Sequence, residues 1–329
     1  MKPKGTLLLS RREVAALLGL DECITAVERA FKAKAEGRAL PPGVLGVHAR
    51  DGGFHIKAAG LCLARPYFAA KVNGNFFLNK ERFQMPNIQG VLLLCDAENG
   101  YPLAIMDSIE ITILRTGAAT AVAAKYLART DAKVATICGC GNQGRVSLRA
   151  LSKVREIEKA YLFDTDSDQA DRLADELSRE LQIEVKAVRD LAAAASRSDI
   201  CVTCTPSKRY FFDQSCVASG ALIAAVGADN EEKQEIDPHV MATSKVVVDS
   251  LAQCSAIGDL HHALALGLMS EKDVAAELGE VIAGQKTGRE SADETIIFDS
   301  TGTALQDVAA AALVYEKAEG AGTRLNFAE

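Results

Sequence analysis

The chain has 329 residues, with 37 Lys or Arg against 44 Asp or Glu and a formal net charge of −7. This length suggests about two domains, a hydrophobic content of 48% can fill their cores, and the lack of a basic block argues against nucleic acid as a partner. No stretch reaches the roughly 18 uninterrupted apolar residues of a membrane span, and Met1–Ser10 has too short an apolar run for a secretory signal, so a cytoplasmic protein is expected.

In chain order, Ser10-Arg-Arg-Glu13 is a capping-box pattern that opens a short helix through Leu18. A second helix runs from about Asp21 to Glu36, with Ile24, Val27, Ala30 and Phe31 on one face and Gly37 as its stop. After Pro41-Pro42 come strand-like segments at about Val44–Ala49, Gly53–Ala58, Tyr67–Asn73 and Gly90–Asp96, the last closed by the turn Glu98-Asn99-Gly100. Short turns between consecutive strands predict an antiparallel sheet in a separate α+β unit. Alternation places Tyr67, Ala69, Lys71 and Asn73 on one strand face. Lys71, between Ala70 and Val72, reads either as a desolvated amine suited to proton transfer or as an edge lysine reaching to water. His55 and Lys57 share a strand face that lines a pocket or meets solvent.

From about Asp107 to Arg129 the pattern becomes helical and Ala-rich. Arg115, set among apolar residues there, needs a partner: a substrate carboxylate or an internal acid such as Asp107 or Glu110. The run Lys133–Cys138 then leads into Gly139-Cys-Gly141-Asn-Gln-Gly144, and a second run, Ala160-Tyr-Leu-Phe, ends at Asp164. Strand, G-x-G-x-x-G turn, helix, strand and acid make up the dinucleotide-binding fingerprint. Gly139 permits the tight turn, Gly141 the approach of a pyrophosphate, and Gly144 close helix–strand packing. The helix from Asn142 to about Ser152 aims its N–H groups at the phosphates, and Asp164 accepts from the ribose hydroxyls. Asp164 and Asp166 would repel a 2′-phosphate, so NAD is expected over NADP.

Further strands at about 184–188, 199–204, 221–226, 245–249 and 294–299 alternate with helical or loop segments, which predicts a doubly wound parallel sheet. Cys201-Val-Thr-Cys204 has C-x-x-C spacing, but it lies in a strand where residues three apart face opposite ways, so these are core residues and no metal site is expected. Asp229 follows the apolar run Leu222–Ala228 at the sheet edge where ligands bind. It reads as an acid or base beside the nicotinamide, or as a helix N-cap. Asp299-Ser300-Thr301-Gly302 ends the last strand at the same edge, while His239, His261 and His262 read as surface or packing residues. A last helix, Ala304 to Glu319, packs back on the first domain and makes it discontinuous.

Several stretches together resemble the ornithine cyclodeaminase/μ-crystallin family along nearly the whole chain, nearest its archaeal-type alanine dehydrogenase branch. They are Ala70–Asn75, Leu103–Asp107, Leu114–Ala119, Gly139–Gln143, Gly227–Asp229, Gly279–Gly284 and Ile297–Gly302. The resemblance implies a homodimer with a substrate-binding and dimerisation domain at 1–120 and 304–329, and an NAD-binding Rossmann domain at 121–303. It implies Lys71 and Asp229 as catalytic residues and Arg115 as the ligand of the substrate carboxylate. Asn142, Gln143, Asp164, Thr205, Lys233 and Ser300 fall where the family contacts its dinucleotide. Two positions depart from the pattern: Gly43 stands where members often carry a basic residue, and Lys57 where ornithine cyclodeaminases place a glutamate. A cation at Lys57 repels the ammonium tail of ornithine and suits either the α-carboxylate or a second carboxylate of an acidic substrate. The expected activity is an NAD-dependent amino-acid dehydrogenase or ketimine reductase. The alternatives are a redox-neutral cyclodeaminase and a μ-crystallin-type binding protein.

Overall fold

The protein is described by a computed structural model covering residues 5–327, so the first four residues of the N-terminal segment read above, and the last two of the chain, lie outside it. Thr6–Leu9 (β1), Arg11–Leu17 (α1) and Leu20–Ala35 (α2) are followed by Ala39–Ala49 (β2), Gly52–Cys62 (β3) and Pro66–Asn75 (β4). Next come Asn79–Phe83 (α3), Ile88–Asp96 (β5), Pro102–Asp107 (β6) and Ile109–Leu127 (α4). Val134–Cys138 (β7), Asn142–Val154 (α5), Lys159–Phe163 (β8), Ser167–Leu181 (α6) and Glu184–Ala187 (β9) form two successive βαβ crossovers. Leu191–Ala195 (α7), Ile200–Thr203 (β10), Lys208–Phe212 (β11), Leu222–Ala225 (β12), Gln234–Ile236 (β13) and Pro238–Thr243 (α8) continue the chain. Lys245–Val248 (β14), Leu251–Ile257 (α9), Asp259–Ala265 (α10), Ala276–Glu277 (β15), Leu278–Ile282 (α11) and Ile296–Asp299 (β16) precede the closing Ala304–Lys317 (α12) and Thr323–Leu325 (β17). Contacts divide the chain into two units, one running to Arg115 and resuming at Thr303, the other spanning Thr116–Gly302.

The first unit is a seven-stranded sheet in the order β17-β1-β6-β5-β4-β3-β2. It is antiparallel as expected except at one pair: β1, in a segment whose sequence pattern predicts no element, lies parallel to β6. β2 begins at Ala39 and runs through Pro41-Pro42, with its register broken between Leu40 and Gly43. Prolines are tolerated there because β2 is an edge strand with little ladder to lose. The capping box of α1 forms, with Glu13 accepting from the Ser10 N–H and hydroxyl at 2.8 and 2.6 Å. α2 buries Ile24, Val27, Ala30 and Phe31. α12 packs against α2 and across β3 and β4, the face onto which Tyr67, Ala69, Lys71 and Asn73 project and are buried. The alternate residues Phe54, Val72, Gly74 and Val91 line a cleft of about 500 Å³ with Ile88 and Arg11.

The second unit carries an eight-stranded sheet in the order β15-β14-β16-β12-β10-β7-β8-β9. Every pairing in it is parallel. β10 and β12 are buried along their whole length, the near-continuous apolar pattern of strands covered on both faces. Strand order reverses between β7 and β10, and the crevice beyond their carboxyl ends is where such sheets bind ligands. Gly139 and Thr205 stand at that point.

Candidate active site

In the first unit, three cations and one acid are buried together. β3 and β4 pair so that Lys57 and Lys71 are direct cross-strand partners, 6% and 4% exposed. Like charges placed opposite each other destabilise a sheet, so the arrangement needs an anion nearby. Asp307 of α12 supplies one: the Lys71 ammonium lies 2.9 Å from its Oδ1 and 2.8 Å from Oδ2. Arg115 Nε lies 3.2 Å from the same Oδ1, and Arg115 Nη1 donates to Gln306 Oε1 at 2.8 Å. Lys71 also donates to the Thr112 hydroxyl at 3.3 Å. The lysine is therefore not an edge residue reaching to water.

Burial pushes the Lys71 amine down to about 8; Asp307 opposes this, and the charges of Arg115 and Lys57 add to it. Burial alone would raise Asp307, but Lys71 and Arg115 outweigh it and hold the carboxyl below its usual range. An amine poised near neutrality in a dry site can give or take a proton. The acid partner of Arg115 is thus neither Asp107, which accepts from the Ile109 N–H, nor Glu110, which pairs with Arg11. It comes from the far end of the chain. The signal available was the pair Gln306-Asp307 inside the otherwise apolar run Ala304–Ala312.

In the second unit the glycine-rich turn has the shape its sequence requires. Gly139 has φ +103°, and a Cβ there would meet the Cys204 carbonyl oxygen at 2.9 Å. A Cβ on Gly144 would stand 1.9 Å from the Gly139 carbonyl oxygen, whereas one on Gly141 would meet nothing within 4 Å. The backbone above Gly141 is therefore open to a ligand. α5 begins there with no side-chain cap, leaving its first N–H groups aimed outward. Gln143 Oε1 is buried with no hydrogen-bond partner among the described residues. Beside the turn is a cavity of about 360 Å³ lined by Asn142, Arg145 and Arg172 among others. This cradle fits a pyrophosphate. Asp164 stands just past β8, and its carboxylate already receives the N–H groups of Cys140 at 2.7 Å and Asp166 at 2.9 Å. That fixes its direction and leaves lone pairs over for ribose hydroxyls.

Around the remaining strand ends, Asp229 caps no helix. Its Oδ1 receives Lys233 Nζ at 2.7 Å, and that amine also donates to the Gly227 carbonyl at 3.3 Å. Thr205 is held by Glu235, a buried acid not singled out from the sequence. The Ser300 hydroxyl is buried and donates to Asp249 at 2.8 Å, so its side chain serves the strand-end network while its neighbours Thr301 and Gly302 complete the turn. Burial raises the Cys201 and Cys204 thiols, and all nine cysteines are free.

The sequence matches the ornithine cyclodeaminase/mu-crystallin family over residues 4–322. Three solved structures illustrate the likeness. An archaeal alanine dehydrogenase dimer with bound NAD is 37% identical, covering 98% of this chain and 99% of that one, with a TM-score of 0.93. The Thermococcus litoralis Δ1-pyrroline-2-carboxylate reductase with NADH and L-proline is 36% identical over 97% and 100% of the two chains, at 0.92. The Paracoccus denitrificans iminosuccinate reductase with NAD+ is 32% identical over 98% and 100%, at 0.91.

Proposed function

The chain belongs to the ornithine cyclodeaminase/mu-crystallin family, and from that membership we propose that it is an NAD(H)-dependent amino-acid dehydrogenase or imine reductase. It acts on the CH–NH2 or C=N group of a small L-amino acid or its imine. The observation that carries this reading is the buried cluster of Lys71, Asp307 and Arg115: a proton-active amine and a carboxylate-binding guanidinium steadied by one acid. NAD, when bound, supplies or accepts the hydride. Gly139, Gly141, Asn142, Gln143 and Gly144 would hold its pyrophosphate and Asp164 its ribose, with Thr205, Lys233 and the Ser300 turn bordering the rest.

The chain's own residues do the binding and proton handling. Arg115, hydrogen-bonded to Gln306 and ion-paired with Asp307, takes the substrate carboxylate with Lys57 beside it. Lys71 gives a proton to the substrate nitrogen side in reduction and removes one in oxidation. Asp229, tethered by Lys233, is the second proton carrier. An alanine/pyruvate pair, a cyclic ketimine, or the imine of a dicarboxylic acid like that of the Paracoccus relative all suit a site of this charge. Redox-neutral cyclisation of ornithine is disfavoured, because the substrate's ammonium tail would meet Lys57 and Lys71 side by side. Lys71→Ala tests the reading. Turnover should fall at least about a hundred-fold, the lower range for a general acid–base group, with NADH binding intact. Unchanged turnover would remove Lys71 from the chemistry.

The same reading includes a homodimer and a cytoplasmic location. The long edge strand β2 exposes Leu40, Val44, Leu45 and Val47, and Phe54, Ile88 and Val91 extend the apolar surface. Exposed edges and patches of this kind call for cover, and a second copy of the sheet is the natural one. Nine free thiols suit a reducing compartment.

A further inference from the structure

Glu235 is fully buried in β13, outside the set of residues that the fingerprint or the lysine cluster brings to attention. Its carboxylate gathers three donors. Oε1 accepts the Thr205 backbone N–H and the Thr205 hydroxyl, each at 2.6 Å. Oε2 accepts the Gly227 N–H at 3.0 Å. Thr205 lies just past β10, and Gly227 just past β12, two residues before Asp229. One side chain therefore ties together two of the loops that border the proposed cofactor position. The fit is close: a Cβ on Gly227 would lie 2.4 Å from Glu235 Oε2. Glu235 is itself anchored from behind, since Asp259 Oδ1 accepts the N–H groups of Glu235 and Ile236 at 2.7 and 2.9 Å. Asp299 in turn accepts the Leu260 N–H at 2.9 Å.

We propose that Glu235 is a positioning residue for the dinucleotide, acting through Thr205 and the Gly227–Asp229 loop to set the spacing of the cofactor-bordering edges. This rests on the NAD-dependent reading above. The chemistry of the site specifies an ionised acid. Three donors converge, so the tie needs a group that only accepts. A glutamine would present its NH2 to an N–H at one end. Buried donors left facing a donor lose their hydrogen bond and pay the full cost of desolvation, and the loop must shift to find another acceptor. Burial, and then the charge of Asp259, raise Glu235 to about 7 against the two Thr205 bonds. Asp259 itself is raised to about 6 by burial. The other titratable groups facing Glu235 are the thiols of Cys204, just past β10, and Cys138 on β7, both held protonated; the Lys233–Asp229 ion pair lies on the adjoining loop.

The test is NADH affinity, measured by fluorescence titration of the full-length protein and its Glu235→Gln variant between pH 6 and pH 8. In the parent, affinity weakens by up to about ten-fold from pH 8 to pH 6, the limit for one group titrating near 7 whose protonated form does not bind. In Glu235→Gln, NADH binds about ten-fold more weakly at pH 8 and the pH dependence is gone, while KM for the amino or imino acid stays within about two-fold. A folded variant with parental NADH affinity, or one that keeps the parental pH dependence, would overturn the proposal. If the variant does not fold, a flat parental profile overturns it and a ten-fold slope supports it. Failure of the parent to bind NADH at any pH would instead sink the cofactor reading, and this proposal with it.

Discussion

Asp307→Asn removes one charge and almost no volume from the most consequential contact in the first unit. The Asp307 and Lys71 side chains are 2% and 4% exposed, and Arg115 is 8%. Breaking a buried ion pair by removing one partner costs about 3–5 kcal/mol, and here two cations lose the same acid. Lys71 can relieve the strain by releasing its proton. It stands at about 8 with Asp307 in place, and Asp307 is the contribution holding it up, so its pKa must fall further in the variant. Each unit of fall is about 1.4 kcal/mol less stabilisation of the ammonium. Lys71 is already depressed below its ordinary 10.5, so the parent gains stability as pH rises from about 8 towards 10.5, where the unfolded chain still binds the proton. The Lys71–Asp307 pair stabilises only while Lys71 is charged, so the variant's deficit is largest below its own lowered Lys71 pKa, narrows as pH rises from there to about 8, and is smaller at pH 9 than at pH 7. The assays are urea unfolding at pH 7 and pH 9 and the pH profile of NADH oxidation. The alkaline limb of the reductive profile, near pH 8 in the parent, should move at least about one unit towards acid. An unchanged limb, with a deficit no larger at pH 7 than at pH 9, would refute the reasoning.

Lys57→Glu should lower kcat/KM for a dicarboxylic substrate at least about ten-fold more than for a monocarboxylic one, because it puts an anion against the second carboxylate; steady-state comparison of two oxo acids decides, and an equal loss would mean Lys57 serves the α-carboxylate alone. If the proposed homodimer forms through this edge, Leu45→Lys, at a position 56% exposed on β2, should shift it towards monomer in sedimentation at micromolar concentration. A dimer undisturbed by it would place the subunit interface elsewhere. In the amino-acid-oxidising direction the parent's rate should rise with pH through about 8 as Lys71 loses its proton; a rate that falls across this range would assign the base to another group.

Local patterns made much of this legible. The alternation Tyr67–Asn73 groups Lys71 with Tyr67, Ala69 and Asn73 on one strand face but leaves open whether that face is buried, while the turn after β7 announces its glycines and Asp164. What escaped depends on long-range pairing. The segment Thr6–Leu9 is too short for a period to show, and it becomes a strand only because β6, about a hundred residues later, lies beside it. Arg115 advertised the need for a partner, but nearby acids were the natural candidates, and Asp307 lies 192 positions on. Glu235 gave no signal because a single acid in a short strand looks like a solvated residue until Thr205 and Gly227 close around it. Ser300 sits where the dinucleotide is expected, and its hydroxyl donates to Asp249, a partner that a sequence position cannot foretell.

The most direct test of the central claim is the NADH absorbance of the purified protein with 2-oxo acids plus ammonium on one side and cyclic imines on the other. NADH should be lost with at least one member, and not with the same member once Lys71 is alanine. No loss with any member, in a protein that binds NADH, would contradict the reductase reading and favour a redox-neutral cyclodeaminase or a binding protein.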